Sequence, residues 1–136
     1  MALALELACE ELEVGAARLE ALRDRFEREV LEQVAGVRVN GGGAPRVPNT
    51  SNLCFVGAQG HVLLDVLDHE GICVSSGAAC TAGSLAPSHV LTAMGLSENE
   101  ALGSLRFSLG PGTHEAEVER VLEALRKHVP AARVAV

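Results

Sequence analysis

Ser104-Leu105-Arg106-Phe107-Ser108-Leu109 alternates apolar and polar residues without a break. A period of two places Leu105, Phe107 and Leu109 on one face of a strand and Arg106 and Ser108 on the other. Such a strand needs a layer packed on its apolar face, and the flanking sequence supplies it. Downstream, a helix starting near Thr113 presents Val118, Val121, Leu122, Leu125 and Val129 as one stripe. Upstream, Ser97 and Glu100 form a capping box for a short helix. Before it, Pro87 suits the first position of another helix, with Val90, Leu91 and Met94 facing inward and Gly95 ending it.

Farther upstream, strands and helices alternate. Ile72-Cys73-Val74-Ser75 is predicted as a strand, with Cys73 in a structural position. Gly60 to Asp68 carries Val62, Leu63, Val66 and Leu67 at helical spacing, and Gly71 breaks the chain after it. Thr50 to Val56 is predicted as a strand buried on both faces, Leu53 and Phe55 pointing one way and Cys54 and Val56 the other. Cys54 is then a core residue. Val37-Arg38-Val39 is a short edge strand. The loop from Asn40 to Pro48 has three glycines, but no lysine or helix start follows them, so it is a flexible connection and not a phosphate cradle.

From about Ala4 to Ala35, Leu5, Ala8, Leu12, Ala16, Leu19, Leu22, Phe26, Val30 and Val34 recur every three or four residues. They describe one long amphipathic helix, weakened at Gly15 and stopped at Gly36. About 45 Å of helix exceeds what a domain of this size covers, so its first turns are expected to project. The expected fold is α+β, a two-layer α/β sandwich with helices packed on one side of a mainly antiparallel sheet. Residues 1–35 are a connecting helix, and residues 36–136 form a small α/β domain carrying a loop at residues 75–87. No internal repeat is present.

Composition narrows the function classes. The 136 residues hold eighteen acidic and eleven basic side chains, a formal charge of −7, with no Trp or Tyr. That balance opposes a polyanion, and there is no aromatic stacking platform, so neither nucleic acid nor an anionic membrane surface is an expected partner. No apolar run approaches membrane-spanning length. Cys9, Cys54, Cys73 and Cys80 form no pair at metal-finger spacing and the histidines have no ligand rhythm, so no metal site is expected. Free cysteines suit a reducing cytoplasm.

The chemistry concentrates in Ser75-Ser76-Gly77-Ala78-Ala79-Cys80-Thr81-Ala82-Gly83-Ser84. A free cysteine ordinarily behaves as a small buried hydrophobe, yet Leu85 is the only large apolar side chain between Ser75 and Ala86. Cys80 therefore reads as a reactive thiol on a small-residue loop, with backbone N–H groups available to its thiolate. His89 is the nearest histidine, but nothing orients it as a base and it reads as a surface residue; His61, His69, His114 and His128 have no assigned role. Arg106 is a permanently charged planar fork on a strand, suited to a carboxylate or, in the plainer reading, to a structural ion pair.

The stretch SSGAACTAGSLAPSHVL at Ser75–Leu91, with NTSN at Asn49–Asn52 and SLRFSLG at Ser104–Gly110, resembles the C-terminal small domain of the NifS/IscS-type cysteine desulfurases of the class-V aminotransferase family. The resemblance runs from about Leu12 to Val129. It implies the small-domain fold of the fold-type I pyridoxal-phosphate transferases. It also implies an enzyme that takes sulfur from L-cysteine, leaving L-alanine and a persulfide on Cys80. Arg106 matches the arginine that pairs with the substrate carboxylate, and the long first helix matches the connection to a large cofactor domain. Ala78, Ala86 and Pro111 stand where family members often have serine, glutamate and arginine, which leaves the choice of sulfur acceptor open between an iron–sulfur scaffold and a tRNA-thiolation protein.

The resemblance also implies a lysine for pyridoxal phosphate, and this chain has a single one, Lys127, beside Arg126 on the polar side of the last helix. The cofactor is therefore expected in a large domain or partner chain, and these residues alone are expected to bind no cofactor and not to catalyse. The chain is then an excised C-terminal domain or a separately encoded half, expected to be monomeric. Two other readings remain: a stand-alone persulfide carrier or protein-interaction module, and a structural domain with an inert cysteine.

Overall fold

The computed structural model describes residues 2–76 and 86–133. Among these described residues eight elements follow one another: α1 (Ala2–Gln33), β1 (Val37–Val39), β2 (Thr50–Phe55), α2 (Gly60–His69), α3 (His89–Ala93), α4 (Glu98–Leu102), β3 (Ser104–Ser108) and α5 (Glu115–Ala132). The strands form one antiparallel sheet in the order β1-β2-β3, so Val37–Val39 is an edge as expected. Helices pack on that sheet, which makes the fold α+β.

The core lies on the face shared by Leu53 and Phe55 of β2 and Leu105 and Phe107 of β3. Leu22, Phe26 and Val30 of α1, Leu63 and Leu67 of α2, and Leu122, Leu125 and Val129 of α5 close over it. With no Trp or Tyr available, the three phenylalanines set its centre: Phe107 packs obliquely on Phe26 at 5.1 Å between ring centroids and edge-on to Phe55 at 6.4 Å.

α1 runs through Gly15 without interruption over 32 residues, about 48 Å at the usual rise. From Leu19 to Val34 its apolar stripe is buried, whereas Leu3, Leu5 and Leu7 near its start are exposed. Gly36 then turns the chain at φ +65°, a backbone angle that suits glycine. At the same end of the sheet, where β2 ends and β3 begins, a second glycine is required by space. A Cβ on Gly60 would stand 2.3 Å from the carbonyl oxygen of Leu102, so the start of α2 abuts the end of α4 backbone to backbone.

Three local expectations change. Ile72–Val74 is not a strand, and Cys73 is exposed. The amide of Ile72 is spent on Leu67 O at 2.8 Å, finishing α2, and ladder pairing begins only at Ser75. β2 ends at Phe55, and Val56 is exposed, so the second face of this strand is closed only around Cys54. α3 starts at His89 and not at Pro87, and it buries Leu91 alone. Val90 and Met94, four residues apart on one face, are half exposed because α3 lies against α4 and outside the main core.

Candidate functional site

Opposite the core, the sheet presents a polar face. Register fixes its membership: Thr50 lies across from Ser108, Asn52 from Arg106 and Cys54 from Ser104. Residues directly opposite share a face, and the core claims the alternate set, Leu53, Leu105 and Phe107. Arg106 is exposed there, as the alternation in β3 predicts.

Arg106 also pairs on its other side. Ser75 N donates to Arg106 O at 3.1 Å and Arg106 N donates to Ser75 O at 2.7 Å, a single antiparallel bridge beyond the edge of β3. The chain passes from Ser75 to Ser76 beside the strand that holds the guanidinium. Cys80, within residues 77–85, lies outside the described residues. The chain re-enters at Ala86, and His89 in the first turn of α3 is exposed.

The guanidinium of Arg106 differs from most others in the chain. Arg18 is committed to the carbonyls of Pro111 and Thr113. Arg25 is tied to Glu29, Glu115 and Glu119, and Arg46 to Glu27. Among the described residues, Arg106 has no such partner. A permanent charge on a polar sheet face, with no partner among the described residues, is a ready site for a carboxylate.

Three neighbours that the sequence reading did not single out complete the face. Asn40, one residue past β1, pairs by its backbone N–H with Asn52 O at 2.8 Å. Its side-chain amide donates to Asn52 Oδ1 at 2.7 Å and to Ser104 Oγ at 3.0 Å, and Ser104 Oγ donates to Glu100 O at 2.6 Å. The available signal was the alternation in β2, which sets Asn52 on the face away from Leu53 and Phe55.

α4 anchors this side through the predicted capping box. Ser97 N and Oγ both donate to the Glu100 carboxylate, at 2.9 and 2.8 Å, and Glu100 also pairs with Arg38 of β1. The backbone N–H and hydroxyl of Ser97, then the Arg38 guanidinium, hold the Glu100 carboxyl down at about 2. Cys54 is buried beneath, its thiol 3.5 Å from Glu100 O, and packs as the expected core residue.

Pyridoxal phosphate does not fit the residues of this chain. Lys127, the single lysine, has a side chain that is 64% exposed and an Nζ 2.8 Å from Glu70 Oε1. It lies on α5, which covers the core face of the sheet, whereas Arg106 is on the opposite face. A Schiff-base lysine needs a free, desolvated amine at the reacting centre. Among the described residues no group of three or more His, Cys, Asp or Glu is arranged to hold a metal ion, and no helix is long and apolar enough to cross a membrane.

Comparison with known proteins agrees with this architecture. The cysteine desulfurase of Trichormus azollae is 45% identical over 122 residues, 90% of this chain and 30% of that protein. The IscS-like cysteine desulfurase of Mycobacterium tuberculosis is 46% identical over 134 residues, 98% of this chain and 34% of that protein. The X-ray structure of a NifS-like protein from Rickettsia africae superposes with a TM-score of 0.81 at 26% identity, covering 95% of this chain and 32% of that one. The chain thus spans about a third of the length of these relatives. The aminotransferase class-V family pattern matches residues 1–121, and with these relatives it shows that the chain belongs to that family.

Proposed function

We infer that this chain supplies two groups to a cysteine desulfurase: Arg106, which binds the carboxylate of L-cysteine, and Cys80, which takes its sulfur. The supporting observation is the bridge between Ser75 and Arg106, which ties the strand carrying the guanidinium to the segment leading toward Cys80. Two relatives that carry the name cysteine desulfurase match nine-tenths or more of this chain.

The overall change is balanced without another reactant. The Cys80 thiol and L-cysteine give a Cys80 persulfide and L-alanine: the substrate C–S bond breaks, an S–S bond forms, and the β-carbon takes up the hydrogen. Cys80 acts as the nucleophile through its thiolate. Arg106 fixes the substrate by a two-pronged contact to its carboxylate, which holds the sulfur in a constant position for the incoming thiol.

Class-V aminotransferases are in general pyridoxal-phosphate enzymes. Because Lys127 does not fit that cofactor, we place it in a large domain or partner chain corresponding to the part of the relatives this chain does not span. The 136 residues then do not catalyse alone. Residues 1–35 act as the connecting helix, whose exposed first turns lead toward that part, and residues 36–136 as the small domain. The persulfide sulfur passes to an acceptor protein of iron–sulfur assembly or tRNA thiolation, in the cytoplasm.

The test is alanine formation from L-cysteine. The chain with pyridoxal phosphate is expected to give none, and addition of a class-V cofactor-binding portion is expected to give turnover that Cys80→Ser abolishes. Turnover by the chain alone overturns the division of labour, and full turnover by Cys80→Ser overturns the nucleophile. Acceptance and release of sulfane sulfur by Cys80, with no gain from the cofactor portion, favours the persulfide-carrier reading instead.

A further inference from the structure

The polar relay behind Arg106 has a direction. A backbone carbonyl can only accept, so the Ser104 hydroxyl, 2.6 Å from Glu100 O, must donate there. Its oxygen then accepts from Asn40, 3.0 Å away, which fixes the Asn40 side chain with its nitrogen inward. That nitrogen has a second proton, and it goes to Asn52 at 2.7 Å, so Asn52 must present its oxygen to Asn40. The orientation of both amides, which is otherwise a matter of choice, follows from one carbonyl at the end of α4.

The consequence falls on the other half of the Asn52 amide. With Oδ1 held by Asn40, Nδ2 is turned away from that contact. It lies on the face where Asn52 stands directly across from Arg106, and Cβ atoms so paired are about 5 Å apart. Among the described residues Nδ2 has no acceptor, and neither has the guanidinium. Two donors, one charged and one neutral, therefore stand side by side with no acceptor among the described residues. A carboxylate has acceptor sites on both oxygens, more than one guanidinium edge fills.

We propose that Asn52 is a second carboxylate-binding residue, donating from Nδ2 to the substrate carboxylate held by Arg106, with Asn40 and Ser104 as positioning residues that set its direction. This rests on the reading of Arg106 as the carboxylate site and extends it to a selectivity: the site prefers a free carboxylate over an ester by the combined action of Arg106 and Asn52.

The first test follows the side chains directly. The chain is titrated with L-alanine while the Arg106 Nε–H and Asn52 Nδ2–H2 resonances are recorded by NMR. Both are expected to move along one binding curve, and neither with alanine methyl ester. Movement of Arg106 without Asn52 overturns this proposal and leaves the Arg106 site standing. No movement of Arg106 overturns the Arg106 site, and the proposal with it.

The second test uses the enzyme assembled with its cofactor-binding portion. Asn52→Asp keeps the acceptor for Asn40 but sets negative charge against the substrate, and Asn52→Ala removes the donor. Each is expected to raise KM for L-cysteine roughly tenfold or more, while KM for L-cysteine methyl ester stays within about twofold. An equal rise for both substrates indicates a purely structural effect and overturns the proposal, as does an unchanged KM in both variants.

Discussion

Ser75 and Arg106 exchange both of their backbone hydrogen bonds, at 3.1 and 2.7 Å, although neither Ser75 nor its neighbours belong to a strand. In such a pair the two side chains lie on the same face. The segment that leads to Cys80 is therefore fixed to the sheet at Ser75, beside the strand position that carries the guanidinium. Upstream of that point the chain is held by Ile72 N on Leu67 O and by Ile72 in the core.

Arg106→Lys is expected to raise KM for L-cysteine roughly tenfold or more in the assembled enzyme, because an ammonium cannot reproduce a two-pronged contact with a carboxylate. Stability should change by less than about 0.5 kcal/mol, since the exposed guanidinium has no partner among the described residues. Steady-state kinetics and a urea titration of the same variant check both halves.

Gly60→Ala is expected to destabilise the chain by about 1–3 kcal/mol. Its Cβ would fall 2.3 Å from Leu102 O, and a backbone carbonyl at the end of α4 cannot swing aside as a side chain can. Gly15→Ala is the control: nothing lies within 4 Å of that Cβ, and alanine stabilises an exposed helix by about 0.5–1 kcal/mol. Denaturant midpoints should move in opposite directions.

Ser51→Ala is expected to leave stability unchanged or raise it by up to about 1 kcal/mol. Ser51 lies on the core face across from Phe107, fully buried, and its hydroxyl has no hydrogen-bond partner among the described residues. Removing a buried group that no partner compensates removes a cost. A loss of more than about 1 kcal/mol on thermal or chemical unfolding contradicts this account.

Acid should weaken the fold through Glu70 and Glu100. Lys127 and then His128 hold the Glu70 carboxyl down at about 2, and Ser97 and Arg38 do the same for Glu100. A carboxyl lower in the folded than in the unfolded chain contributes stability that is complete above the ordinary value of 4.5 and is lost as pH falls through about 2. Unfolding midpoints should decline from about pH 5 downward. Glu70→Gln and Glu100→Gln should each flatten the decline, the latter while keeping an acceptor for the Ser97 N–H. A pH profile as steep in both variants as in the parent chain rules out these two carboxyls as its source.

The alternation in Ser104–Leu109 and the helical stripes before Gly36 and after Thr113 were legible because each buries one continuous face, and a face leaves a period in the sequence. Short elements were less legible. α3 presents Val90, Leu91 and Met94, but five residues on the rim of the fold bury Leu91 alone, and that outside the main core. Ile72–Val74 has the composition of a strand, yet the helix before it takes the Ile72 amide.

The sequence by itself therefore determined the types of the longer elements, the antiparallel α+β arrangement, and the two residues, Cys80 and Arg106, whose chemistry stands out. It also determined that Lys127 is the one lysine available. Only the tertiary structure decided that Asn52 stands across from Arg106, that Asn40, Ser104 and Glu100 O orient its amide, and that Lys127 lies on the far side of the sheet, held by Glu70. The physical reason is that periodicity records which face a side chain takes. Strand register and hydrogen-bond direction depend on residues distant in the chain, here 40, 52, 104 and 106, meeting across three strands.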